Sequence, residues 1–390
     1  MNTDVVVVGA GVVGASTAFH LACSGVTSVL VVEQSHAGAG MSSRSSALVR
    51  MHYSFPPEVD LAVRSDKMFE AWTELTGRPR VVRRTGFVRI VAPGEEAALR
   101  ANVDMQRSLG ADTRVVGRGE LAELAPGLRV DDLDCAAYEP AGGYGDGAAV
   151  AGDFLAAARE RGATYEPGTK VTGLRVHGGR VTGVTTPSGE VQAGTVVVAA
   201  GVWAPRLLRT AGVEVPIEGE LHHVAVVRHP AGRGAPLACI DSTTQTYFRP
   251  EGSGETTLVG SFAGRRPAGP EAAEQPPDPE ELAHHVEAAS HRVPALAEAG
   301  ISGGVTGVYD MTPDARPLLG SLPGLDGLVV AVGFSGMGFK ISPAVGESLA
   351  ALVRGDGPGA VDLEPFRPSR FAEGAPISSP FAYADDLEAS

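Results

Sequence analysis

The stretch from Asp4 to Glu33 leaves this chain few folds to choose from. It reads D-V-V-V-V-G-A-G-V-V-G-A-S-T-A-F-H-L-A-C-S-G-V-T-S-V-L-V-V-E. From Asp4 to Val8 the valines run without alternation, the pattern of a strand buried on both faces. Gly9, Gly11 and Gly14 follow in G-x-G-x-x-G spacing, with Val12 and Val13 between the last two. The first glycine permits a tight turn, the second lets a pyrophosphate approach the backbone, and the third lets helix and strand pack closely. Ala15 to Ala22 continues as a helix whose free N–H groups and positive end face the phosphates. Gly25 closes that helix, Val29 to Val32 makes a second strand, and Glu33 ends it with a carboxylate placed for an adenosine ribose. Strand, glycines, helix and an acid-terminated second strand together specify a dinucleotide site, and they suit NAD as well as FAD.

Length and composition narrow the rest. A chain of 390 residues with 43% hydrophobic and 20% charged residues is globular, with two or three domain equivalents. Its formal charge of −14 argues against nucleic acid or an anionic membrane surface as a partner. No apolar run approaches the ~20 residues of a spanning helix. The first strand leaves no room for a leader ahead of it, so the expected location is the cytoplasm. Cys23, Cys135 and Cys239 are too few and too far apart for a metal, iron–sulfur or disulfide pattern. His222-His223 and His284-His285 are sequence neighbours whose side chains diverge. They are expected at the surface, and no metal is expected.

Along the chain, a small-residue loop from His36 to Ser46 sits where the chain would pass back over a dinucleotide. Helices are expected from about Pro57 to Thr76, capped by Gly77, then over Glu95–Leu109, Ala148–Arg161 and Pro279–Val293. A strand is expected over Ala163–Lys170. Val171 to Val191 reads as a hairpin-like pair turned at Gly178-Gly179 and Ser188-Gly189. Thr195 to Ala199 and Leu328 to Val332 are further buried strands of the first sheet. Gly86–Val91 is a strand-like piece of what looks like an inserted second lobe over 81–149, and Leu221–Val227, Gln245–Arg249 and Thr256–Phe262 read as strands with polar alternation that fit a separate antiparallel sheet. Arg265 to Pro279 reads as a surface loop, and Ala375 to Ser390 as an extended tail.

Four motifs occur in order: the N-terminal fingerprint, T-V-V-V-A-A-G-V-W-A-P at 195–205, M-T-P-D-A-R-P-L-L-G at 311–320, and G-F-S-G-M-G-F-K-I-S at 333–342. Together they resemble the D-amino-acid oxidase superfamily of flavoproteins, in its sarcosine oxidase and glycine oxidase branch. The resemblance covers Asp4 to about Phe371. It implies an α/β architecture: a discontinuous, Rossmann-like FAD-binding domain (1–85, 146–215 and 305–371) and a second α+β substrate domain built on an antiparallel sheet (86–145 and 216–304), followed by a tail from 372.

The resemblance implies FAD, with adenosine on Glu33 and Gln34 and pyrophosphate at Gly9, Gly11, Val12, Val13 and Gly14. Ser42, Ser43, Arg44 and Ser46 would line the loop over the pyrophosphate and ribityl chain. The backbone of Val171 would meet the adenine, and Ala200, Gly201 and Trp203 would lie along the flavin crevice. Gly333, Phe334, Ser335, Gly336, Met337, Gly338 and the start of the following helix would face the isoalloxazine O2, where a positive helix end stabilises the anionic reduced ring.

Arg50 and Lys340 fall on the branch's two carboxylate-binding cations, and an Arg–Lys pair suits a carboxylate. The plainer reading of Arg50 is a surface salt bridge to Glu58 or Asp60. Tyr247 matches an active-site tyrosine. Arg249, on the same strand face, is either a third carboxylate contact or a ladder residue. Leu258 stands where the branch has its oxygen-activating lysine, Phe262 where it has a histidine, and Gly307 where it has a flavin-linking cysteine. These departures imply non-covalent FAD and leave oxidase and dehydrogenase both open, with O2 or a quinone or electron-transfer partner as acceptor.

The activity implied is oxidation of the C–N bond of a secondary or N-methyl amino acid with a free carboxylate, by hydride transfer to flavin N5. Two alternatives keep the fold: a flavin-bearing subunit of a hetero-oligomeric dehydrogenase, or a 2-hydroxy-acid dehydrogenase with a histidine base.

Overall fold

A computed structural model describes residues 2–230, 233–252, 254–262, 266–357 and 359–383. The strand Asn2–Val8 sits centrally in the first sheet. It runs parallel to Val29–Val32 on one side (Val5 opposite Val29) and to Gly189–Val198 on the other (Val5 opposite Thr195). Thr164–Glu166 adds a parallel edge beyond Val29–Val32, and Leu328–Val332 pairs parallel with the end of Gly189–Val198. The unalternating valines are explained by what covers each face. Val5, Val7, Val29 and Val31 pack in one core with the helices Val12–Cys23, Gly147–Glu160 and Gly338–Arg354. Val6, Val8, Leu30 and Val32 pack in another with Leu174, Leu207 and Leu208. Each of these valines and leucines leaves water, worth about 1.5–3 kcal/mol apiece.

The expected 195–199 strand is the end of one longer strand. Its first half pairs antiparallel with Arg180–Thr186, which turns through Gly178-Gly179 to Gly173–His177. The helix expected from Pro57 to Thr76 is two helices, Pro56–Glu70 and Trp72–Thr76, and Gly77 closes the second at φ 73°.

The second sheet has eight strands in the order 300–311, 218–228, 256–261, 246–251, 238–241, 87–90, 135–139, 114–117. All pairs are antiparallel except Phe87–Ile90 with Ala238–Asp241. The strand Gly300–Met311 pairs with Glu218–Arg228 along its length, so it runs through the boundary expected at residue 305. A small third sheet of Leu48–Val49, Gly143–Tyr144 and Arg83–Arg84 joins the two.

The loop expected from Arg265 begins outside the described residues. Further on it forms a 3-10 turn, Pro270–Glu274, with Ala273 buried. The expected tail is described to Tyr383, and 384–390 lie outside the described residues. Residues 375–383 do not extend freely: Tyr383 is buried. Among the described residues, no helix is long and apolar enough to cross a membrane.

Candidate active site

The dinucleotide end is built by crowding. A methyl group on Gly14 would stand 2.0 Å from the Gly9 carbonyl, so only glycine lets the helix Val12–Cys23 come this close to the turn. The helix opens at Gly11, which has no side chain to cap it. Instead the Ser42 hydroxyl, arriving from the 36–46 loop, accepts from the Val12 amide at 3.0 Å. Glu33 accepts from the Ala10 amide at 2.9 Å and from the Ser35 amide at 2.8 Å, which pins its carboxylate at the ends of both strands. Gln34 beside it is exposed, and Val171 is half-buried against the outer core.

The other expected cofactor contacts divide. Ala200, Gly201 and Trp203 follow the Gly189–Val198 strand, and the Trp203 indole lies over Gly40 in the 36–46 loop. Ser43 donates to the Gly40 carbonyl at 3.2 Å. Arg44 turns away from the glycine turn. It donates to the Ala273 and Thr306 carbonyls and pairs with Glu274 at 3.0 Å. Ser46 offers its carbonyl to Arg249 Nε.

The turn 333–338 is organised by Asp310, a residue sequence reasoning did not single out. Its Oδ2 accepts from the Gly333 amide at 2.7 Å, and its carbonyl accepts from the Ser335 amide at 3.2 Å. Burial raises the Asp310 carboxyl to about 6, and these backbone N–H groups oppose the rise. Ser335 sits at φ 48°, and Gly336 at φ 82° carries the Tyr309 ring so close that a methyl would stand 2.7 Å from it. Part of the turn's N–H set therefore faces inward to Asp310. The helix Gly338–Arg354 then starts with no side-chain cap.

Arg50 and Lys340 converge. Lys340 is 8% exposed, and among the described residues its Nζ bonds only the Gly336 carbonyl, at 3.4 Å. Burial first, and the Arg50 charge second, hold its amine well below the ordinary lysine range, while Glu58 pulls the other way. Arg50 donates to the His52 carbonyl, and its guanidinium lies 4.2 Å from the Tyr53 ring centroid. Its Nε is buried without a partner among the described residues. The surface salt bridge to Glu58 or Asp60 does not form: Glu58 pairs with Arg316 at 2.9 Å. Glu139 stands near Arg50, fully buried.

Tyr247 and Phe262 pack in one apolar cluster with Leu48, Phe87 and Leu258, and Phe87 lies 6.0 Å beneath the Arg50 guanidinium. The Tyr247 ring lies over Gly260. Burial pushes its hydroxyl well above the usual tyrosine range, and neighbouring Tyr309 adds to the rise. Arg249 is committed elsewhere: it bonds the Ser46 and Pro250 carbonyls, pairs with Glu251 at 2.7 Å and stacks on Tyr144 at 4.1 Å. A cavity of about 400 Å³ opens beside it at the seam of the two sheets, bounded by Ser43–Ser46, Tyr144, Val224 and Leu258.

The expected surface position of His222-His223 is corrected. His222 bonds Glu220 at 2.9 Å and stacks on Tyr309 at 3.8 Å, and His223 pairs with Glu281 at 3.3 Å, both buried. The two side chains do diverge, His222 onto Tyr309 of the neighbouring strand Gly300–Met311 and His223 onto Glu281 of the helix Pro279–Arg292. His284 is exposed and His285 half-buried. Among the described residues no group of His, Cys, Asp and Glu forms a metal site.

A model of the FAD dependent oxidoreductase family, DAO, matches residues 4–352. The chain belongs to the DAO family. FAD is the family's cofactor, and the chain is a FAD-dependent oxidoreductase. The crowded glycine turn and the uncapped helix start at Gly338 fit a nucleotide and an anionic ring, respectively. Human mitochondrial sarcosine dehydrogenase is 29% identical over 362 residues, which is 90% of this chain but 39% of that protein. Glycine oxidase of Geobacillus kaustophilus is 30% identical over 390 residues, 94% of this chain and 97% of that one. The L-proline dehydrogenase structure from P. horikoshii superposes with a TM-score of 0.89 at 28% identity, covering 96% of this chain and 99% of that chain. The resemblance read from four motifs and the family match thus agree on a DAO flavoprotein, both beginning at residue 4. Among family relatives, this chain spans about two fifths of the human protein's length.

Proposed function

We propose that this DAO protein oxidises the C–N bond of a secondary or N-methyl amino acid to an imine, which water then hydrolyses. One observation carries the reading: Arg50, half-buried with its Nε enclosed, has no ion pair among the described residues and stands beside Lys340. A buried cation costs free energy until an anion meets it, and a planar guanidinium beside an ammonium suits a carboxylate. With the amine of Lys340 held down by burial and by Arg50, an arriving carboxylate draws a proton onto Nζ and pairs with it. Tyr247, Phe262 and Phe87 form an apolar wall beside this clamp, which keeps water off the carbon that loses its hydrogen. Bound FAD would supply the two-electron acceptor. The uncapped start of Gly338–Arg354 would place positive potential where negative charge accumulates on reduction.

The named relatives support an amino-acid substrate, since they are a sarcosine dehydrogenase, a glycine oxidase and an L-proline dehydrogenase. Leu258 supports a dehydrogenase that passes electrons to a quinone or an electron-transfer partner, because an apolar side chain gives reduced oxygen no countercharge. Anaerobic mixing with sarcosine, dimethylglycine, proline and 2-hydroxyglutarate tests the reading through bleaching of the flavin band. Bleaching by one or more of the amino acids is expected, with slow return in air. Bleaching by the hydroxy acid alone would overturn the substrate class, and rapid return in air would make the protein an oxidase.

A further inference from the structure

The segment 377–383 runs across the seam between the two domains and is tied at four points. The Ile377 amide donates to Asp314 Oδ2 at 2.9 Å, on the 311–320 motif. Ser379 donates its hydroxyl to the Ser54 carbonyl. Asn102 Nδ2, on the helix Glu96–Ser108, donates to the Phe381 carbonyl at 2.8 Å. Tyr383 meets His52 Nε2 with its hydroxyl at 2.8 Å and stacks on the imidazole at 5.9 Å and 9°. The Arg89 guanidinium lies 5.1 Å from the Tyr383 ring centroid, and Tyr383 is 2% exposed.

Two of these ties land on residues 52–54, directly after Arg50. The His52 carbonyl is the acceptor that Arg50 donates to, the ring faces of Tyr53 and Phe87 lie against the guanidinium, and Glu139 and Lys340 act on it through their charge. Ring faces attract a cation without fixing its direction, so the carbonyl sets where the fork points. That carbonyl is fixed only as well as the backbone at 52–54 is fixed. Residues 50–53 belong to no helix or strand, so they are held by side-chain bonds: Glu139 to the Met51 amide, Gln106 to the Tyr53 carbonyl, and the ties from Ser379 and Tyr383.

We propose that residues 377–383 are a strap that sets the aim of Arg50, with Tyr383 as a positioning residue for the carboxylate clamp. The proposal rests on the clamp reading given above. Acetate, which has the carboxylate but no oxidisable C–N bond, is the probe. Its binding to the FAD-loaded protein is followed by the flavin visible spectrum, alongside steady-state kinetics with the best amino acid. Tyr383→Ala should weaken acetate about tenfold, the loss of one hydrogen bond and one ring contact. The effect should fall on KM more than on kcat. Tyr383→Phe keeps the ring and should weaken acetate by about half that amount on a logarithmic scale. In the apoprotein, amide hydrogen exchange at residues 51–54 should quicken in both variants, a readout that needs no cofactor.

Arg50→Met separates the two ideas. If Arg50→Met weakens acetate and neither Tyr383 variant does, the strap proposal is overturned and the clamp stands. If Arg50→Met binds acetate as the parent does, the clamp reading itself is wrong and the strap has nothing to aim. Should Tyr383→Ala fail to fold, unchanged acetate binding and unchanged exchange in Tyr383→Phe overturn the proposal equally.

Discussion

Glu139 ends the strand Cys135–Glu139 with its Oε2 on the Met51 amide at 2.8 Å. Burial raises its carboxyl to about 8, opposed by that amide and by the Arg50 charge. A carboxyl raised in the folded state binds more protons there than in the unfolded chain. Its contribution to stability is therefore complete below the ordinary value near 4.5 and is lost as pH rises through 8. Glu139→Gln keeps an oxygen for Met51 and removes the ionisation. The melting-temperature difference, variant minus parent, should grow from pH 5 to pH 9, by an amount equivalent to about 1–3 kcal/mol. A flat difference across that range would show that Glu139 is already ionised in the folded protein at pH 5, with its carboxyl not raised. At this scale the sequence was partly legible. Arg50 and Lys340 were readable because a cation in a motif is conspicuous, and they do converge. Tyr309, Asp310, Glu139 and His222 were not, since an aromatic or an acid on a strand reads as ladder or surface until the covering element is known. The D immediately before M-T-P-D was the one available signal for Asp310.

The turn 333–338 shows what a glycine-rich motif can conceal. Its glycines are required by the Tyr309 ring and the φ values, and its geometry is held from outside by one carboxylate. Asp310→Ala removes the acceptor for the Gly333 amide, leaving a buried N–H without a partner, which costs about 1–3 kcal/mol. Urea titration should show that loss, and the variant should release FAD at lower urea than the parent. Asp310→Asn, which retains an acceptor oxygen, should recover most of both. Strand positions were legible wherever burial on both faces left an unbroken apolar run: Val29–Val32 and Leu328–Val332 lie where the residues place them. The parallel pairing of Phe87–Ile90 with Ala238–Asp241 was not legible, because alternation reports which face is buried and says nothing about a partner some 150 residues away. The break between the helices at Ala71 was equally hidden, since the apolar spacing continues across it to Trp72.

Over the whole molecule, the three cysteines lie far from Gly307. Cys23 ends the first helix, and Cys135 and Cys239 belong to the second sheet, all unpaired. No thiol stands where the branch links its flavin, so unfolding in guanidinium followed by ultrafiltration should pass all the yellow colour into the filtrate. Colour retained with the chain would mean a covalent bond at some other side chain. The mixed α/β plan with a second, largely antiparallel sheet was legible from the strand patterns, whereas the strap at 377–383 was not. Its ties are made by single polar atoms on Ser379, Asn102 and Tyr383, which leave no periodic trace.

The strand Gly300–Met311 has a consequence for how such proteins could be recombined. It is hydrogen-bonded to the substrate sheet from Gly300 onward, yet its last turn of sequence carries the ring over Gly336 and the carboxylate under Gly333. A second sheet transplanted from a relative and cut at residue 304 would sever the brace of the host's 333–338 turn. An exchange that keeps the brace intact takes Gly300 through Gly338 together with the rest of the second sheet, so the 333–338 turn travels with that sheet.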